Sequence, residues 1–156
     1  MPNNKIDPTL RIAKYRSRVF IGGSYHQEMR SGLDGIKAAV EVAGFHPVVA
    51  DEVELENDAD IHHETMMLLH TCRLAIFELT RPSGALMEIE RVPDFGIHTL
   101  ILFNAPKESE YTGSRMLSTF VKEHQESILL SSYLQSEAIK QIVTDWLGVM
   151  RKEGFG

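Results

Sequence analysis

The feature that most constrains this chain is an alternation between two kinds of segment. Short runs too apolar to have a wet face are separated by stretches whose apolar residues recur at intervals of three and four. The runs are Val19-Phe20-Ile21, Pro47-Val48-Val49-Ala50, residues 74–79 (LAIFEL), residues 99–103 (TLILF) and a weaker, more polar run at 127–131. Between the first two, Leu33, Ile36, Val40 and Ala43 have the spacing of one helix face, and Gly44 supplies a C-cap. Further helices are expected over 61–71, 84–92, 114–122 and 136–152, the second of these N-capped by Ser83 and stopped by Pro93 and Gly96. Strand and helix thus alternate five times. Strands apolar on both sides need cover on both sides, so the pattern predicts an α/β domain with a parallel sheet between two layers of helices. Right-handed crossovers then give a doubly wound five-stranded sheet in the order 2-1-3-4-5. Its ligand crevice falls where the order reverses, between strands one and three, outside their carboxyl ends.

Residues 18–156 are expected to form a single domain, preceded by an arm or short helix over 1–17 in which residues 10–15 are weakly amphipathic. A hydrophobic fraction of 43% and a charged fraction of 24% are those of a packed globular protein. The net charge of −6 is spread along the chain without a Lys/Arg cluster, which argues against nucleic acid as a partner. Cys72, the single cysteine, has no internal partner for a disulfide, and the first residues lack the apolar core of a signal peptide; a cytoplasmic location is expected. No apolar run approaches the roughly 20 residues of a membrane helix, so no membrane partner is expected either.

Two segments converge on the predicted crevice. Gly22-Gly23-Ser24-Tyr25-His26 follows strand one, where glycines allow backbone N–H groups to approach a sugar or phosphate. Residues 83–91 (SGALMEIER) follow strand three and place two carboxylates on one short helix. Glu88 and Glu90 flank the stripe formed by Ala85, Ile89 and Val92 on opposite sides, so periodicity does not choose between them. Depth does: Glu88 stands nearer the helix start and hence the strand ends. Against this stands the ordinary reading of both as solvated helix carboxylates. His62, His63, Glu64, His70 and Cys72 meet no zinc spacing, so no metal is expected, and Asp94-Phe95-Gly96 is a helix stop without kinase motifs around it.

The succession VFIGGSY, helix, GFHPVVADE, helix, CRLAIFELT and SGALMEIERVPDFGIHTLILF, spanning roughly 18–105, resembles the nucleoside 2-deoxyribosyltransferase-like superfamily and the related bacterial Toll/interleukin-receptor-like domains. The layout that these share is flavodoxin-like, or Rossmann-like. In the first family a small-residue segment after strand three leads into a helix bearing the glutamate that acts on the glycosidic carbon, and Gly84-Ala85-Leu86-Met87-Glu88 is similar to it. Ser83 and Glu88 also have the Ser-x4-Glu spacing of the receptor-like enzymes that cleave NAD. The family aspartate that helps hold the sugar or base at the end of strand three is replaced here by Glu78-Leu79-Thr80. Tyr25 corresponds to an aromatic residue that stacks on the base. The lysine-decarboxylase-like phosphoribohydrolases also begin with strand-GGS, but their Pro-Gly-Gly-x-Gly-Thr-x-x-Glu is absent.

The expectation is therefore cleavage or transfer at the N-glycosidic bond of a nucleoside, nucleotide or NAD-like small molecule, with Glu88 as the catalytic carboxylate. Gly22, Gly23 and Ser24 would seat the sugar or phosphate, Glu78, Thr80 and Ser83 would orient it, and Tyr25 would stack on the base. The chemistry calls for no cofactor, since a carboxylate under the anomeric carbon can stabilise its charge or form an ester with it. The alternative is a catalytically silent nucleotide-sensing or self-associating domain of the same fold. The resemblance also implies a homo-oligomer.

Overall fold

The computed structural model describes residues 17–23, 30–49, 61–80, 89–104 and 115–155. In chain order the described elements are β1 (Arg18–Gly23), α1 (Arg30–Val42), β2 (His46–Val49), α2 (Ile61–His70), β3 (Leu74–Glu78), β4 (His98–Asn104), α3 (Arg115–Glu123), β5 (Ile128–Tyr133) and α4 (Glu137–Lys152). The five strands form one sheet in the order β2-β1-β3-β4-β5. Every neighbouring pair is parallel. This is the predicted doubly wound topology, with β3 central and β1 beside it.

The period of two along each strand divides the core into two layers. Val19, Ile21, Leu74, Ile76, Leu100 and Leu102 pack against α1 and α4, which contribute Leu33, Ile36, Val40, Ile139, Val143 and Trp146. Phe20, Ala75, Phe77 and Ile101 face the other way, onto Leu69 of α2, Val121 of α3 and the turn residues Ile89, Val92 and Ile97. Strands buried on both faces cannot alternate apolar with polar residues, which is why their runs are continuous.

The helix ends also follow local chemistry. At the end of α1 the chain turns through Gly44 at φ +86°, with the Phe45 N–H bonded to the Val40 carbonyl at 3.1 Å and the Gly44 N–H to Glu41 at 3.0 Å. Only glycine adopts that backbone without strain. The fifth strand runs on to Tyr133, past the expected end at 131, because Ser131, Ser132 and Tyr133 stay in register with Leu102, Phe103 and Asn104. Among the described residues no helix is long and apolar enough to cross a membrane.

Candidate functional site at the strand ends

β1 and β3 lie side by side with Gly22 opposite Phe77 and Gly23 opposite Glu78, so the point where the strand order reverses is bounded by these residues. The geometry gives both glycines a packing reason. A Cβ on Gly22 would stand 2.7 Å from the Phe77 ring, and one on Gly23 would stand 2.5 Å from the Glu78 carbonyl oxygen. Gly23 also has φ +148°, which a side chain rarely adopts.

Glu78 continues the Leu74 and Ile76 side of β3 onto the α1/α4 face, and it is only 1% exposed. A carboxylate taken out of water costs free energy unless donors replace its hydration. Three donors do so. The Thr80 N–H donates to Oε1 at 2.6 Å, the Thr80 hydroxyl to Oε2 at 3.0 Å, and the Tyr133 hydroxyl closes a short hydrogen bond to Oε2. Thr80 Oγ1 in turn accepts the Asn104 N–H at 2.8 Å. The Asn104 amide donates to the carbonyls of Tyr133 at 3.3 Å and Leu134 at 3.0 Å. The hydroxyl protons are thereby oriented, and the ends of β3, β4 and β5 are tied together. Burial first, then the hydrogen bond to Glu78 and its charge, push the Tyr133 phenol above the usual tyrosine range, while Thr80 pulls the other way.

Of the residues expected at the site, Gly22, Gly23, Glu78 and Thr80 meet at the carboxyl ends of β1 and β3. Ser24, Tyr25, Ser83 and Glu88 lie outside the described residues, as does His26. Glu90 is exposed on the turn that follows Ile89. Nothing in the sequence patterns singles out Asn104 and Tyr133. Their signal was a polar residue at each strand's last position, opposite one another in register, which only the sheet order makes readable.

The other chemically distinctive groups stand elsewhere. Cys72 precedes β3 and is buried, and that burial pushes its thiol up to about 11 against the lowering effects of the Thr71 hydroxyl and the Arg18 charge. Among the described residues no group of three or more His, Cys, Asp or Glu side chains could hold a metal; the side chains of His62, His63 and Glu64 are outside that set. A groove of about 420 Å³ opens at the opposite end of the sheet, lined by His98, Ser127, Ile128, Trp146, Val149 and Met150.

No known family model and no curated protein matches the chain. Its similarity to solved structures extends over most of its length. A de novo designed Rossmann 2x3 fold protein is 18% identical with a TM-score of 0.52, covering 88% of this chain and 91% of the design. The TIR domain heterodimer of RPS4 and RRS1 is 14% identical with a TM-score of 0.51, covering 85% of this chain and 97% of the matched domain. At such identities the likeness is one of fold: a Rossmann-like sheet of the kind a TIR domain also has.

Proposed function

We propose that this protein cleaves or transfers at the N-glycosidic bond of a nucleoside, nucleotide or NAD-like molecule. The observation that carries the reading is the β1/β3 switch point, where Gly23 abuts a buried glutamate held by hydroxyls. In open parallel sheets this is where small ligands bind. The sequence adds Ser83 and Glu88, five residues apart in the segment that leaves β3. Glu88 would stand beneath the anomeric carbon. As the bond to the base breaks, its electron pair leaves with the base and the sugar becomes cationic, and a carboxylate then stabilises that charge or forms an ester with the carbon. Water or a second base adds to the sugar, and the proton it gives up goes to the departing base or to solvent. Glu78 and Thr80 would hold sugar hydroxyls, Ser83 would orient them, and Ser24 and Tyr25 would meet the phosphate or base. Self-association belongs to the same reading, since the TIR domains similar in fold form a heterodimer.

Incubation with NAD and a panel of nucleosides, followed by chromatography of the released base, tests this reading. Glu88→Gln keeps size while removing charge, and it should lower turnover by at least about 10²-fold. Glu90→Gln, on the exposed turn, should not. Equal losses in the two variants, or full activity in Glu88→Gln, would remove Glu88 from the chemistry.

One observation favours a second reading, a silent nucleotide-binding domain. Glu78, at the position where the resemblance puts a sugar-holding aspartate, already takes three internal donors. Saturable binding of the same nucleotides without base release would select it.

A further inference from the structure

The two edges of the sheet differ in what their backbones offer. At β2 the His46 N–H bonds the Ser17 carbonyl at 2.8 Å, so His46 and Val48 turn toward β1 while Pro47 and Val49 face outward. Pro47 has no N–H, and a proline at an outward position is one way a sheet edge is closed to further strands. At β5 the Thr99 N–H bonds the Ser127 carbonyl at 2.8 Å, which turns residues 129, 131 and 133 toward β4 and residues 128, 130 and 132 outward. The strand reads ILLSSY, with neither charge nor proline. The Ile128 N–H is taken by the His124 carbonyl at 2.9 Å. Leu130 and Ser132 are left as the outward donors, two residues apart.

We propose that β5 pairs with β5 of a second copy of this chain, antiparallel about a twofold axis at Ser131, joining two five-stranded sheets into one of ten. The spacing of the donors carries the inference. With Ser131 on the axis, Leu130 faces Ser132 of the partner subunit and Ser132 faces Leu130 of the partner subunit. Each pair exchanges two N–H···O bonds, so the four outward donors of the two strands are all met. Moving the axis to Leu130 would instead set Ser132 against Ile128 of the partner subunit, whose N–H is already used. Beside the strand, Leu129 is 52% exposed and Val149 is 51% exposed at the groove floored by Trp146. In this register Leu129 comes opposite Tyr133 of the partner subunit, and the exposed Leu129 is covered at the joined edge. The edge has the same sequence on both sides of the axis, and so the contact closes as an isologous dimer rather than a filament.

The test is independent of any catalytic activity. Light scattering on a size-exclusion column should give a dimer for the wild type at about 100 μM, a concentration that detects interfaces of micromolar strength. Ser132→Pro removes one outward donor without touching the β4 ladder and should give a folded monomer by circular dichroism. Ser131→Cys places two thiols at a non-hydrogen-bonded pair, where Cα atoms about 4.5 Å apart fall within disulfide range. Mild oxidation should therefore link it into a covalent dimer at least tenfold faster than Gln141→Cys on the exposed side of α4, with buried Cys72 silent in both. A monomeric wild type, an unchanged dimer in folded Ser132→Pro, or equal linking of the two cysteine variants overturns the proposal. If Ser132→Pro does not fold, the cysteine pair decides.

Discussion

A carboxylate shut away from water must find its donors inside the protein, and Glu78 draws two from its own turn and one from the far strand of the sheet. The Tyr133 hydroxyl is the long-range member, so Tyr133→Phe isolates it while leaving the ring to fill its place. One acceptor position of a buried charge then goes unmet, which costs about 1–3 kcal/mol. Urea denaturation should show that loss with an unchanged dependence on denaturant, and a variant as stable as wild type would mean the hydroxyl contributes nothing. At this scale the sequence was half legible. Glu78 and Thr80 could be picked out because the resemblance puts a sugar-holding polar residue at the end of strand three, where this chain has Glu78-Leu79-Thr80. Asn104 and Tyr133 could not, since their relevance comes from lying next to one another across β4 and β5, a relation that no spacing along the chain expresses.

Elements were more legible than their ends. Apolar runs of three to six residues between helical stretches leave few choices of type, and each described strand and helix appears in the expected place. The ends shift where backbone pairing overrides composition, as at Ser132 and Tyr133, which stay in register with Phe103 and Asn104. The glycines after strand one leave room for a ligand's close approach, and the seam between β1 and β3 gives them a further reason. Gly23→Ala would drive a methyl group against the Glu78 carbonyl in a backbone conformation that side chains rarely adopt. Strain of this kind costs about 1–3 kcal/mol. The strand ends must part to relieve it, so the variant should melt lower by several degrees, roughly 2–4 °C per kcal/mol at this chain length. Hydrogen exchange should report the opening at Gly23 and Glu78 before it appears in α4. Unchanged melting would show that the seam relaxes freely.

For the whole molecule, the alternation of segments and the handedness of crossovers narrow the sheet to a few doubly wound orders, and 2-1-3-4-5 is the one of these that the flavodoxin-like layout of the resemblance has. What the molecule buries also sets how it responds to alkali. The folded state keeps the Cys72 proton up to about pH 11, against an ordinary value of 9.0, and Tyr133 is shifted in the same direction. Both groups therefore lose their protons sooner in the unfolded chain than in the native one. The cysteine's contribution is fully present at neutral pH and declines as pH rises from about 9 to about 11, by at most about 1.4 kcal/mol per pH unit, while the tyrosine's starts to decline only above its own ordinary value of 10.0. Unfolding free energies at pH 8 and pH 10 should show this fall, and Cys72→Ala should flatten it. An equal slope in the variant would assign the effect elsewhere.

The strand order has a kinetic side as well. No two neighbouring strands are joined by a hairpin, and each ladder brackets at least one intervening segment, with the pairing of β1 and β3 waiting on all of β2 and α2. Loop entropy must be met before such contacts give anything back, which places the chain among slow, non-local folders. During synthesis β1 leaves the ribosome early yet has only β2 to pair with, on one side. Its other side, which includes the tight approach of Gly23 to Glu78, stays open until β3 emerges. The central seam of the finished sheet therefore cannot close until β3 has emerged, after the outer β1–β2 ladder has already had its chance to form.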